Sequence, residues 1–237
     1  MIELRPFAAI GHANHGWLDA RHHFSFADYH DPARMNWGNL RVWNDDTIAA
    51  KSGFPPHPHR DMEIVTYVRT GAITHQDSLG NKGRTAAGDV QVMSAGTGIT
   101  HAEYNIEDEA TTLFQIWIMP TRRGEQPAWG ARQFPKSDRA GQLVVLASGY
   151  SDDLPGGGGD ALPIRTEARL VAGTIRAGES VTYPLGAERK GYLVPATGRI
   201  VVNGVEAGAR DGLAIADEET ITITALDEAE VVLVDTL

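Results

Sequence analysis

The chain has 237 residues, 21 Lys and Arg against 31 Asp and Glu, nine His and no Cys, for a formal net charge of −10. Without cysteine there is no disulfide framework, no thiolate nucleophile and no Cys-ligated zinc or iron–sulfur site, so any transition-metal site must be built from imidazole and carboxylate. The acidic balance, with no basic cluster, argues against nucleic acid as a ligand.

At about 150 residues per domain, the length allows one large unit or two compact ones. The longest apolar runs, such as residues 143–147, fall far short of the ~20 residues that cross a bilayer. Residues 1–6 lack the basic and apolar stretch of a secretory signal, so a soluble cytoplasmic protein with no membrane contact is expected.

Short β-branched or alternating runs punctuated by Gly, Asn, Asp and Pro predict an all-β fold. In chain order, strands are expected at residues 40–43, 63–69, 72–76, 89–93, 112–119 and 142–147. A second set is expected at 169–175, 191–194, 199–203, 212–216, 219–224 and 230–234. Residues 120–135, rich in Arg, Gly and Pro, read as a linker, and the run Gly156 to Gly159 reads as an exposed loop. An internal repeat joins the two sets: positions 57, 59, 63 and 71 match 184, 186, 190 and 198 at a constant offset of 127. Thr70-Gly71-Ala72-Ile73 likewise matches Thr197-Gly198-Arg199-Ile200. The repeat predicts a duplicated β-barrel, with a metal-binding unit over residues 1–135 and a degenerate copy over 136–237.

Within the first copy, His57 and His59 are two apart, as are His101 and Glu103. Side chains at i and i+2 of a strand share a face, so two such pairs on neighbouring strands can bring imidazoles and a carboxylate to one interior point. A ligand set of this type suits Fe(II), Ni, Cu, Mn or Zn, and leaves coordination positions open for an oxygen ligand or dioxygen. Gly88, Gly96 and Gly98 supply the tight turns that return the second pair beside the first. His12, His15, His22, His23, His30 and His75 form no evident second metal set and read as structural, with one or two lining the mouth of a pocket.

The segments Phe54-Pro55-Pro56-His57-Pro58-His59-Arg60-Asp61-Met62-Glu63 and Met93-Ser94-Ala95-Gly96-Thr97-Gly98-Ile99-Thr100-His101-Ala102-Glu103 strongly resemble pirin and the bacterial pirin-like proteins of the cupin superfamily. Gly11-His12-Ala13-Asn14-His15-Gly16-Trp17 and Phe24-Ser25-Phe26 resemble the quercetinase-type bacterial branch. The resemblance implies a bicupin of two face-to-face jelly-roll barrels, with one divalent metal, foremost Fe(II) and otherwise Ni, Cu, Mn, Co or Zn, in the N-terminal barrel alone. It places the metal ligands at His57, His59, His101 and Glu103. The general cupin pattern takes its carboxylate from the position of Glu63, whereas pirin-like proteins take it from that of Glu103, which leaves Glu63 an orienting or structural role.

At the aligned positions the second copy has Pro184, Gly186 and Lys190, and no His follows His101, so it cannot build an imidazole site. Its expected roles are packing and walling one side of the substrate opening. The function implied by resemblance is quercetin 2,3-dioxygenase activity on a flavonol or similar aromatic enol, with dioxygen as co-substrate and Glu103 as both ligand and general base. The alternative is a metal-containing regulatory module that binds a protein partner. A monomer is expected, because two fused barrels bury against each other what single barrels bury by dimerising.

Overall fold

The computed structural model describes residues 1–237 and contains 22 strands, four short 3-10 turns and no α-helix. No helix is long and apolar enough to cross a membrane. The strands form two copies of one two-sheet unit, the duplicated all-β architecture expected from the repeat. In the first copy a seven-stranded sheet has the order Ala128–Arg132, Val90–Ser94, Glu63–Thr70, Thr111–Ile118, Leu40–Ile48, Leu18–His22, Gly11–Asn14. A four-stranded sheet, ordered Ser52–His59, Ile99–Asn105, Ala72–Asp77, Lys82–Ala86, faces it. The second copy repeats the plan with Ile2–Arg5, Gly212–Ala216, Lys190–Thr197, Ala229–Thr236, Ala168–Ile175, Val144–Ser148 and Leu162–Pro163 in its large sheet. Its small sheet is ordered Ser180–Pro184, Thr220–Ala225, Ile200–Val202, Val205–Ala207.

Strand alternation sorts each large sheet into two environments. On one face Trp43, Tyr67, Phe114 and Ile116 meet Leu170, Tyr192, Val194 and Val232 in a shared core of 24 buried residues, which packs the two units together. The opposite face of the first sheet carries Asn44, Asp46, Thr66 and Gln115 toward the interior of the first unit. In the second unit the corresponding interior is filled by a cluster of 17 buried side chains, including Leu193, Leu213, Ile215, Ile221 and Ile223. One copy is thus packed solid with hydrocarbon while the other keeps a polar, partly hollow interior.

Several local features refine these expectations. The stretch 120–135 is not only a linker: Ala128–Arg132 pairs with Val90–Ser94 and closes one edge of the first large sheet. The segment Ser52–His59 is a strand despite Pro55, Pro56 and Pro58, because it lies at a sheet edge, where a missing N–H leaves no ladder bond unmade. Ile2–Arg5, at the start of the span expected to form the first unit, pairs instead with Gly212–Ala216 in the second. In the second unit Ser180–Pro184 pairs with Thr220–Ala225, where Tyr183 stands opposite Ile221 and both side chains lie in the apolar core.

Candidate metal centre

His57 and His59 project from the Pro-rich edge strand, and His101 lies directly opposite His57 on Ile99–Asn105. The ring centroids are 4.5 Å apart for His57 and His101, 4.8 Å for His57 and His59, and 4.9 Å for His59 and His101. One ring nitrogen from each lies within 4.8 Å of the other two, so the three imidazoles can surround a single ion. The close approach of these strands depends on Gly53, where a Cβ would stand 2.2 Å from the Glu103 carbonyl oxygen. Gly96 turns the chain back at φ +47°, and its missing Cβ leaves room for the Glu125 carbonyl, which would lie 2.0 Å away.

Hydrogen bonds assign the tautomers. The His57 Nδ1–H donates to the Pro55 carbonyl at 2.8 Å, which leaves Nε2 as the ring atom available to the cluster. Asp77 accepts from His75 Nε2–H at 2.9 Å, so His75 Nδ1 is an acceptor, and His101 Nδ1 sits 3.3 Å from it. His101 therefore donates from Nδ1 and turns its Nε2 lone pair toward the cluster, where that atom is buried with no hydrogen-bond partner. An orphaned, buried imidazole lone pair among two other imidazoles fits a metal ion. Burial, reinforced by His57 and His59, pushes His101 down to about 2, and burial with His57 pushes His59 down to about 4. Both rings are neutral near pH 7, the form that ligates.

Glu103 falls in a second set with His75 and His101, so His101 belongs to both sets, and Glu103 lines the same cavity as His57 and His59. His101 and Glu103 keep their two-residue parity, opposite Asp77 and His75 in regular register, while the irregularity lies on Ser52–His59, where three residues span the step that two span on Ile99–Asn105. The Glu103 carboxylate accepts hydrogen bonds from Gln91 Nε2 at 2.6 Å, Gln115 Nε2 at 2.8 Å and the Thr66 hydroxyl at 3.4 Å. Burial lifts its pKa to about 7 against the opposing pull of these bonds. Glu63 lies elsewhere, accepting from Ser94 Oγ at 2.6 Å and from the Arg165 N–H at 3.1 Å. The chain breaks between the two strands at Asp61, whose φ is +47°, and Glu63 enters the other sheet.

A cavity of about 680 Å³ opens onto the site. His57, His59, Glu103 and Gln115 meet an apolar wall formed by Trp17, Leu18, Phe26, Phe54, Ile64 and Trp117. All of its lining residues fall between positions 12 and 117, so the second unit does not wall it, contrary to expectation, because that unit packs against the opposite face of the large sheet. His12, His15 and His22 line the cavity, whereas His23 is buried against the Tyr192 hydroxyl at 2.9 Å and His30 is exposed. His22 Nδ1–H donates to Asn44 Oδ1 at 2.8 Å. Sequence reasoning passed over Gln91, Gln115, Asn44 and Asp46. Each is a polar residue at an inward position of an apolar strand, a period-2 anomaly that marks such positions.

The family model described as Pirin matches residues 3–118, and that of the quercetinase C-terminal cupin domain matches residues 153–236. A pirin-like protein of Caulobacter vibrioides is 66% identical over 235 residues, which cover 99% of each chain. The chain belongs to the pirin family. The quercetin 2,3-dioxygenase of Escherichia coli is 44% identical over 236 residues, covering 99% of this chain and 98% of that one. The crystal structure of the Escherichia coli bacterial pirin YhhW in complex with nickel(II) superposes with a TM-score of 0.91 at 44% identity, covering 100% of this chain and 99% of the other. This pirin-family chain thus combines the two-domain bicupin fold with a His/Glu cluster of the kind that suits a divalent metal.

Proposed function

We propose that this pirin-family protein is a metal-dependent dioxygenase of the quercetin 2,3-dioxygenase type, which cleaves the ring of a flavonol or a similar aromatic enol. In this reading His57, His59, His101 and Glu103 hold one divalent metal, Fe(II) foremost, and the protein works in the cytoplasm as a monomer. The observation that carries the reading is the convergence of three imidazoles, one with an unpartnered buried Nε2 and the other two lining a largely apolar cavity. A roomy apolar cavity that ends at the ligand cluster favours catalysis over a purely partner-binding role.

A divalent metal at this centre supplies Lewis acidity, which lowers the pKa of a bound hydroxyl. The chain does the rest. Trp117 and Phe54 offer aromatic faces to a planar substrate and keep water from it. Glu103, held by Gln91 and Gln115, takes up the hydroxyl proton on a carboxylate oxygen, and its burial favours the protonated form. The test adds flavonol to the iron-loaded protein and to Glu103→Ala, following ring cleavage and dioxygen uptake. The variant is expected to lose about 100-fold or more in rate. Equal rates in the two proteins would remove Glu103 from the mechanism, and no dioxygen uptake by either would remove the dioxygenase reading.

A further inference from the structure

One wall of the cavity carries a carboxyl group for which the fold supplies no partner. Asp46 follows Asn44 by two residues on Leu40–Ile48, so both side chains face the interior of the first unit. Its neighbours in register are Ala20 and Leu113, which are apolar. Asp46 is only 3% exposed, and its Oδ1 is fully buried without a hydrogen-bond partner. No ion pair or hydrogen bond within the protein engages the other oxygen either. Burying a carboxyl this way is a net cost to folding, since the group gives up its hydration and receives nothing in return. A leucine would suit the surroundings better. A sequence that accepts such a local penalty at a cavity wall has the mark of a ligand-contacting position.

The placement indicates what the ligand carries. Asp46 belongs to the seven-stranded sheet, whereas His57 and His59 belong to the four-stranded sheet opposite, and all three line the same cavity of about 680 Å³. That volume holds a molecule of two or three fused or linked rings. A flat aromatic compound whose oxygen-bearing end reaches the imidazoles presents a different part of its rim to Asp46. Phe54 and Trp17, edge-to-face with centroids 5.0 Å apart, support the apolar body between the two ends.

We propose that Asp46 is a substrate-anchoring residue, whose carboxyl pairs with a second hydroxyl of a polyhydroxylated aromatic substrate, remote from the group held at the imidazole centre. The inference rests on the dioxygenase reading of the same cavity and adds to it a requirement for at least two separated oxygen functions on the substrate. Discrimination follows, because a hydroxyl-free analogue leaves the buried carboxyl unpaired.

The test measures equilibrium binding under anaerobic conditions to the nickel-loaded protein, with two probes. One is quercetin; the other is the unsubstituted flavonol, which keeps only the enol, carbonyl and ring ether oxygens of the central ring. The wild type is expected to favour quercetin by about tenfold, the factor set by one hydrogen bond to a buried carboxyl. Asp46→Leu is expected to bind the two probes equally, with affinity for the unsubstituted flavonol unchanged or improved, and Asp46→Asn to keep part of the preference. An equal preference in wild type and Asp46→Leu, or no preference in wild type, overturns the anchoring role. Dioxygen uptake with quercetin is measured alongside. Uptake together with an unchanged preference in Asp46→Leu overturns the anchor and leaves the dioxygenase reading standing. Selective binding without uptake overturns the dioxygenase reading and supports the anchor.

Discussion

His101 is oriented by groups that need not touch an ion themselves. Asp77, held in turn by the Asn81 side chain and backbone and by the Leu79 N–H, fixes the His75 tautomer, and His75 fixes that of His101. The His75 ring cannot swing away, because it stacks on Trp129 at 4.7 Å with an interplanar angle of 9°. A substitution that removes the acceptor while keeping the bulk, His75→Leu, should weaken nickel binding by about 10- to 100-fold in a competition titration. His75→Asn, whose Oδ1 takes the place of the acceptor nitrogen, should restore most of it. Equal losses in both variants would instead mark His75 as a direct ligand. A histidine away from the cluster adds to acid sensitivity. Burial, then the charges of Arg34, Arg5 and Arg210, hold the pKa of His23 down at about 3, against 6.5 for the free side chain. Between those values the unfolded chain binds a proton that the folded chain does not, so stability falls as the pH is lowered through this window. Urea unfolding of His23→Gln should therefore show a shallower loss from pH 6.5 toward pH 4 than the wild type. Parallel pH profiles would show that His23 is not the group responsible.

At the level of strands, the two large sheets are completed by segments that lie outside the repeat. Ala128–Arg132 covers Val90–Ser94 and Ile2–Arg5 covers Gly212–Ala216, so short segments of five and four residues form these sheet edges. Arg5 secures the second closure. Its guanidinium is buried within 5.5 to 5.6 Å of the Phe24, Trp37 and Tyr192 ring centroids, residues from both units. Arg5→Ala should lower the urea midpoint by the equivalent of about 1–3 kcal/mol without changing the slope of the transition, through lost cation–π and packing contacts. Most interior strands were legible from alternation and β-branched content: 63–69 became Glu63–Thr70 and 72–76 became Ala72–Asp77. The strand that bears His57 and His59 follows from the spacing of the two residues and not from composition, since its three prolines argue against β pairing. Only its position at an edge, a property of the assembled sheet, makes that composition acceptable.

Across the whole molecule, the shared core makes the two units one cooperative body. Trp43, fully buried, packs against Phe114 at 5.2 Å and Tyr192 at 5.6 Å between ring centroids, so it bridges the two large sheets. Trp43→Ala should cost about 3–5 kcal/mol. All five tryptophans lie at or before position 129, so their fluorescence reports mainly on the first unit, while far-ultraviolet circular dichroism reports on both. Coincident transitions by the two probes are expected in wild type. Separate transitions would show that the units unfold independently and that the interface contributes little.

Composition and spacing by themselves determined the donor chemistry and its location. The absence of cysteine restricts any transition-metal site to imidazole and carboxylate, and the confinement of all nine histidines to the first 101 residues leaves the second copy without an imidazole. The repeat and the alternating runs determined a duplicated all-β fold. Only the tertiary structure decided that Glu103 meets Gln91 and Gln115, that His75 stands behind His101, and that Asp46 shares a cavity with His57. It also decided that Ile2–Arg5 crosses to the second unit. The physical reason is common to these cases. Strand alternation assigns a residue to one of two faces, but which strands become neighbours, in what register and around which void depends on contacts between segments far apart in the chain.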